Sequence, residues 1–161
     1  MNTKQKIFYT TVLFVFSISG CTDRHINENK AIARSFIEDW STHKVDKLIS
    51  LFSEDCLYEE VATGKKFTGK EGIADYANST ISGVPDTDFE IVSVIGSDSM
   101  AMVEWVWEGR NTFGWPSLNI PATNKYFEAR GISVMEIENN LIKRNSDYWD
   151  WKTFLKGIGV E

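Results

Sequence analysis

RGISVMEIENNLIKRNSDYWDWKTFLKGIG, residues 130–159, is the stretch whose reading decides the fold. Residues 130–138 and 141–148 read as two antiparallel strands, because Asn139 and Asn140 between them tolerate the positive φ that a two-residue hairpin turn demands. A short helix follows. Asp150 stands at its N-cap position, Phe154, Leu155 and Ile158 share one face, and Gly157 and Gly159 end it.

Upstream of the hairpin, residues 110–124 form a long loop with Trp115 between Gly114 and Pro116. A connection of that length inside a compact domain is functional or disordered, and the functional expectation is a lid over a cavity mouth. Residues 100–107, MAMVEWVW, alternate as a strand, with Ala101, Val103, Trp105 and Trp107 on one face and Met102, Glu104 and Val106 on the other. Both faces are largely apolar, so this strand is expected to be covered on both sides, by the core or a cavity on one and by a helix or second subunit on the other. Residues 89–95 form its partner strand. Thr68-Gly69-Lys70-Glu71 fits a capping box for a helix reaching about Ser82. Residues 56–61 alternate again, placing Cys56, Tyr58 and Glu60 together, so one face buries a carboxylate or aims it into a cavity. Two helices precede this strand. Ala33, Phe36, Ile37 and Trp40 form the inward stripe of the first, with Asn27 as its N-cap; Leu48, Leu51 and Phe52 mark the second.

The chain of 161 residues is long enough for one domain with a sizeable core and too short for two comfortable ones. Aromatic residues make up 13% of it, six of them Trp, a richness that calls for dense packing or a ligand. The net charge of −6 becomes two units more negative once Lys4 and Lys6 are removed with the leader, and no basic cluster remains. A surface of that sign repels phosphate backbones, which excludes nucleic acid as a partner. His25 and His43 sit in no ligand motif, no phosphate-binding Gly-rich loop is present, and no metal or cofactor is expected.

The first twenty residues are a targeting segment: Lys4 and Lys6 precede an apolar run, residues 7–18, too short to span a bilayer, which takes about 20 residues. Ile18-Ser19-Gly20-Cys21 resembles the bacterial lipobox, in which the Cys is acylated and becomes the mature N-terminus; a plain secretory signal is the competing reading. The expected organisation is therefore a signal at 1–20, a polar tether at 21–27 and one domain at 28–161, lipid-anchored at the bacterial cell envelope. Acylation of Cys21 leaves Cys56 as the one free thiol, expected to be a small buried hydrophobe.

The hairpin ending in Asp147, two aromatics and Asp150, with its helix closing on Ile158-Gly159, resembles the C-terminus of SnoaL-like polyketide cyclases of the nuclear transport factor 2-like fold. The loop PSLNIPATNK, residues 116–125, and the opening ARSFIEDWSTHKVDKLISLFSEDCLYEEVA, residues 33–62, extend the resemblance over roughly residues 28–159. It implies an α+β domain: a cone-shaped, curved, mostly antiparallel sheet with three packed helices and a short C-terminal one. It also implies a cofactor-free pocket for a small hydrophobic molecule; a homodimer formed through the sheet is a separate expectation, from the strand that is apolar on both faces.

Residue by residue, the resemblance puts Asp147 on the acid/base aspartate of the cyclases and Glu60 where related ketosteroid isomerases carry their carboxylate base. Two carboxylates in one cavity push their pKa values apart and divide into acid and base. From the residues alone, Asp147 either points into that cavity, stands solvated at the strand end, or pairs with Lys143 or Arg144. Ser133 stands where the cyclases have a His and cannot take its proton, and Phe36 stands where the isomerases have a Tyr. Tyr58 or Ser133 is then the expected donor to a developing oxyanion. Tyr58, Trp40, Trp105, Trp107, Trp115 and Ser133 are the expected pocket lining. The function expected is proton transfer next to a carbonyl, of the cyclase or isomerase type, or else a non-catalytic ligand-binding or interaction module at the envelope surface.

Overall fold

The computed structural model describes residues 19–161, with side chains from Asp23 onward. Nearly all of the targeting segment, and the Cys21 side chain expected to carry lipid, lie outside this description. Helix α1 (Ser19–Ser41) leads into α2 (Val45–Ser50), β1 (Phe52–Glu60), β2 (Lys65–Thr68), α3 (Gly69–Gly83), β3 (Asp88–Gly96), β4 (Met100–Arg110), β5 (Tyr126–Glu138), β6 (Leu141–Trp149) and α4 (Trp151–Ile158). The strands make one sheet in the order β2-β1-β6-β5-β4-β3. β1 and β6 run parallel; the other neighbours are antiparallel. Register shifts after Phe52, Ile91 and Glu136 bend the sheet, as extra residues in a ladder do.

The C-terminal hairpin forms as its sequence dictates. Asn139 and Asn140 take φ of 51° and 60°, the paired left-handed conformation that matches strand twist in a two-residue turn. Asp150 caps α4 by accepting from the Thr153 amide at 2.9 Å, and Gly159 closes the helix with φ 75°. Helix α1 lies across β3 and β4, α3 across β1 and β2, and α4 against β5. Phe36, Ile37 and Trp40 on α1 are buried, each worth roughly 1.5–3 kcal/mol against exposure.

Several local expectations need correction. Residues 21–27 continue helix α1 instead of forming a tether, and Asn27 is no cap; an Arg24–Glu28 ion pair one turn apart, Nε to Oε1 2.7 Å, supports those turns. Phe52 opens β1 instead of closing α2, because pairing with Ile142 on β6 buries it completely. Thr68 precedes α3 but its side chain makes no capping bond. The four-residue strand β2, Lys-Lys-Phe-Thr, is too short to show a period and was not foreseen. On β4 the face of Val103, Trp105 and Trp107 is buried, whereas Met102, Glu104 and Val106 are only half-covered. No helix among the described residues is long and apolar enough to cross a membrane.

Candidate active site

The parallel junction of β1 and β6 brings Glu60 opposite Asp147 in register. Alternation turns both side chains to the inner face, where α3 and α1 roof them over. Glu60 keeps 4% of its surface and Asp147 6%, so two carboxyls sit side by side out of bulk water.

Their hydrogen bonds come from neutral donors. Asp147 accepts from the Tyr58 hydroxyl at Oδ2 and from the Asn145 amide at Oδ1, 2.7 Å away. The Ser133 hydroxyl also donates to Asp147, while its oxygen accepts from the Trp105 indole at 2.9 Å. Glu60 accepts from the Trp149 indole at 2.8 Å, from Thr63 at 3.3 Å and from the Tyr76 hydroxyl. Among the described residues neither acid forms an ion pair: Lys143 pairs with Asp55, and Arg144 pairs with Glu59 and Glu136.

Burial therefore dominates the proton affinities. It pushes the Glu60 carboxyl up to about 7, the Asp147 charge adding to the push and the Trp149, Tyr76 and Thr63 donors opposing it. Asp147 is also raised by burial, with Tyr58, Ser133 and Asn145 holding it back. Burial and then the adjoining carboxylates lift the Tyr58 and Tyr76 phenols well above their ordinary value, which keeps them donors at neutral pH. Cys56 is buried on the same strand, its thiol pushed up by burial. That is an environment that keeps a thiol inert.

The two acids form one wall of a cavity of about 240 Å³. Tyr58, Trp40, Trp105, Trp107, Trp115 and Ser133 all line it with them. Trp107 is anchored by donating to Thr87 at 3.2 Å, and its ring stacks at 5.5 Å on Phe154 of α4. The loop between β4 and β5 is ordered around buried Asn111, whose amide donates to the Pro121 carbonyl at 2.8 Å and to Thr123 at 3.1 Å. It presents Trp115, Ser117 and Leu118 to the cavity from a single 3-10 turn, Pro116–Leu118. Trp115 lies flat against Gly83 at the end of α3, where a Cβ would come within 2.5 Å of the indole.

Sequence reading missed Tyr76, Trp149 and Asn145. Asn145 and Trp149 lie two residues either side of Asp147 on one strand, so period-two alternation was the available signal. Tyr76 shares the buried face of α3 with Ile73, Ala77 and Thr80, a helical spacing that was equally readable. Tyr58 and Ser133, expected to serve an oxyanion, spend their hydroxyl protons on Asp147. Among the described residues, no three His, Cys, Asp or Glu side chains gather as metal ligands.

Residues 33–145 match the model of the SnoaL-like domain family. Among solved structures the chain is similar to a protein from Shewanella putrefaciens described as a SnoaL-like polyketide cyclase, with 15% identity, TM-score 0.72 and coverage of 83% of this chain and 98% of that one. It is similar too to TsrD from Streptomyces laurentii, at 18% identity and TM-score 0.74 over 84% and 97% of the two chains. A third is a protein of ketosteroid isomerase-like fold from Catenulispora acidiphila, in complex with trimethylamine, at 20% identity and TM-score 0.69 over 80% and 92%. At these identities the likeness speaks to fold. No curated protein matches the sequence.

Proposed function

Taking as premise that the chain belongs to the SnoaL-like domain family, we propose that it binds a small, largely apolar carbonyl compound and moves a proton at the adjacent carbon. The observation that carries this is the placing of Glu60 beside Asp147 on the wall of an aromatic cavity, with no cation among the described residues paired to either. Glu60, whose proton exchanges near neutral pH, takes the α-proton; the C–H electron pair passes into the enolate, and Glu60–OH returns the proton to the product. Asp147 keeps Glu60 basic by its charge. Occupation of a related fold by trimethylamine agrees with a small-molecule site.

The test is solvent-deuterium exchange into α-carbons of a panel of enolisable aryl ketones, followed by NMR. Glu60→Gln is expected to lose about 10²- to 10⁴-fold of the exchange rate, the usual share of a positioned base. One observation favours a non-catalytic binding module instead: the Tyr58, Ser133 and Tyr76 hydroxyls beside the acids are already engaged by a carboxylate, so no preformed oxyanion hole stands open. Binding without exchange in the same panel would select that reading.

The same proposal sets the domain on the bacterial envelope through lipid at Cys21, supported by the basic leader, its apolar run and Ile-Ser-Gly-Cys. Palmitate labelling of the expressed chain is expected, and Cys21→Ala is expected to abolish it. Self-association through the outer sheet face is part of this reading, since Val92, Ile95 and Tyr148 are exposed there.

A further inference from the structure

We infer that the cavity selects an apolar organic cation, a protonated amine or quaternary ammonium, seated against Glu60 and Asp147 with aromatic rings in place of water. This rests on the reading of the cavity as a ligand site and, where catalysis follows, narrows the carbonyl compound to one that also carries a cationic group.

The charges on the lining are unbalanced. Glu60 from β1, Asp147 from β6 and Asp75 from α3 are acids, and Lys65 from β2 is the lone base among the described lining residues. Among the described residues Lys65 makes no ion pair with either buried acid, whose hydrogen-bond partners are hydroxyls, an amide and an indole. In a cavity of low dielectric a carboxylate held only by neutral donors remains electrostatically uncompensated. An anionic ligand adds repulsion. A neutral ligand strips water from the acids and offers nothing back. A cation with an apolar body compensates the charge while its body fills the ring-lined remainder, and aromatic faces attract it further by their quadrupoles.

Proton exchange couples to such binding. The titratable and charged groups facing Glu60 are Asp147, Tyr58, Lys65, Asp75 and Tyr76. Burial lifts both phenols well above their ordinary value, so Glu60 and Asp147 are the buried groups that respond to an arriving positive charge. Glu60, half-protonated near pH 7 when the cavity is empty, gives up its proton as the cation seats. Affinity then climbs from pH 5.5 to pH 8, and binding near pH 7 releases protons.

The experiment titrates the full chain calorimetrically with phenyltrimethylammonium, its neutral isostere tert-butylbenzene, and the anionic 4-tert-butylbenzoate. At pH 8 the ammonium is expected to bind at least about tenfold more tightly than the hydrocarbon, with the benzoate weakest. Its affinity should fall about tenfold in Glu60→Gln, whereas that of tert-butylbenzene should not fall. The wild-type pH dependence supplies a second measure that needs no variant. Tighter binding of the neutral or anionic probe overturns the charge preference and leaves the ligand site standing. If none of the three binds, both the preference and the ligand-site reading fall.

Discussion

Glu60 and Asp147 lie on adjoining strands, yet their proton affinities have different origins. Asp147 is held by Tyr58, Asn145 and Ser133 against the cost of its burial, whereas Glu60 bears both burial and the Asp147 charge. Because Glu60 is raised from 4.5 to about 7 on folding, the folded chain binds its proton more tightly than the unfolded one. Stability is then lost as pH rises from about 4.5 to about 7 and stays reduced above, by about 3 kcal/mol at 1.36 kcal/mol per unit. Glu60→Gln lacks that loss. Urea melts are expected to show the variant more stable than wild type at pH 8 and level with it at pH 4.5; parallel pH profiles would count against the assignment. Tyr58→Phe removes a donor from buried Asp147 and is expected to cost about 1–3 kcal/mol at pH 8, with the Asp147 carboxyl driven further up. The same melts, repeated at low pH where Asp147 is protonated, should show a smaller difference.

Elements carry the site through close approaches that tolerate no extra atoms. On β5, a Cβ at Gly131 would meet the Trp105 ring at 2.3 Å, and Trp105 in turn holds Ser133. Gly131→Ala is expected to cost about 1–3 kcal/mol by overpacking and to move the Trp105 indole N–H resonance, readable by NMR. Asp150→Ala removes the α4 cap and should lower stability by about 1 kcal/mol in thermal melts. The hairpin and α4 were readable because their signals are local: two Asn at the turn, an Asp at the cap, a Gly at the stop. The start of β1 was not. Leu48, Leu51 and Phe52 have the spacing of a helix face, and only Ile142, far along the chain, makes Phe52 a strand residue. For α1 the tether reading failed because polar residues also form helix when pairs one turn apart support them.

Across the whole molecule, the sheet order places β1 against β6 and so joins residues that lie far apart in sequence. Alternation gave the inward face of Tyr58 and Glu60, and family resemblance singled out Asp147; neither reveals that Tyr58 bonds Asp147 or that Trp149 bonds Glu60, since both contacts span 89 residues. Tyr76 reaches Glu60 only after α3 docks over β1. The β4–β5 loop is tied to α3 in the same way: Gly83→Ala would push Trp115 from its seat, and if the loop covers the cavity mouth as expected, ligand association and dissociation measured by stopped-flow should both quicken.

The proposed chemistry requires Glu60 to be a proton-exchanging acid set by its burial and by Asp147. The most direct measurement is the carbon-13 carboxyl titration of Glu60 in the full chain, assigned with Glu60→Gln and repeated in Asp147→Asn. An inflection at about 7 that moves down in Asp147→Asn is the predicted result. An inflection near 4.5, unmoved by Asp147→Asn, would contradict it.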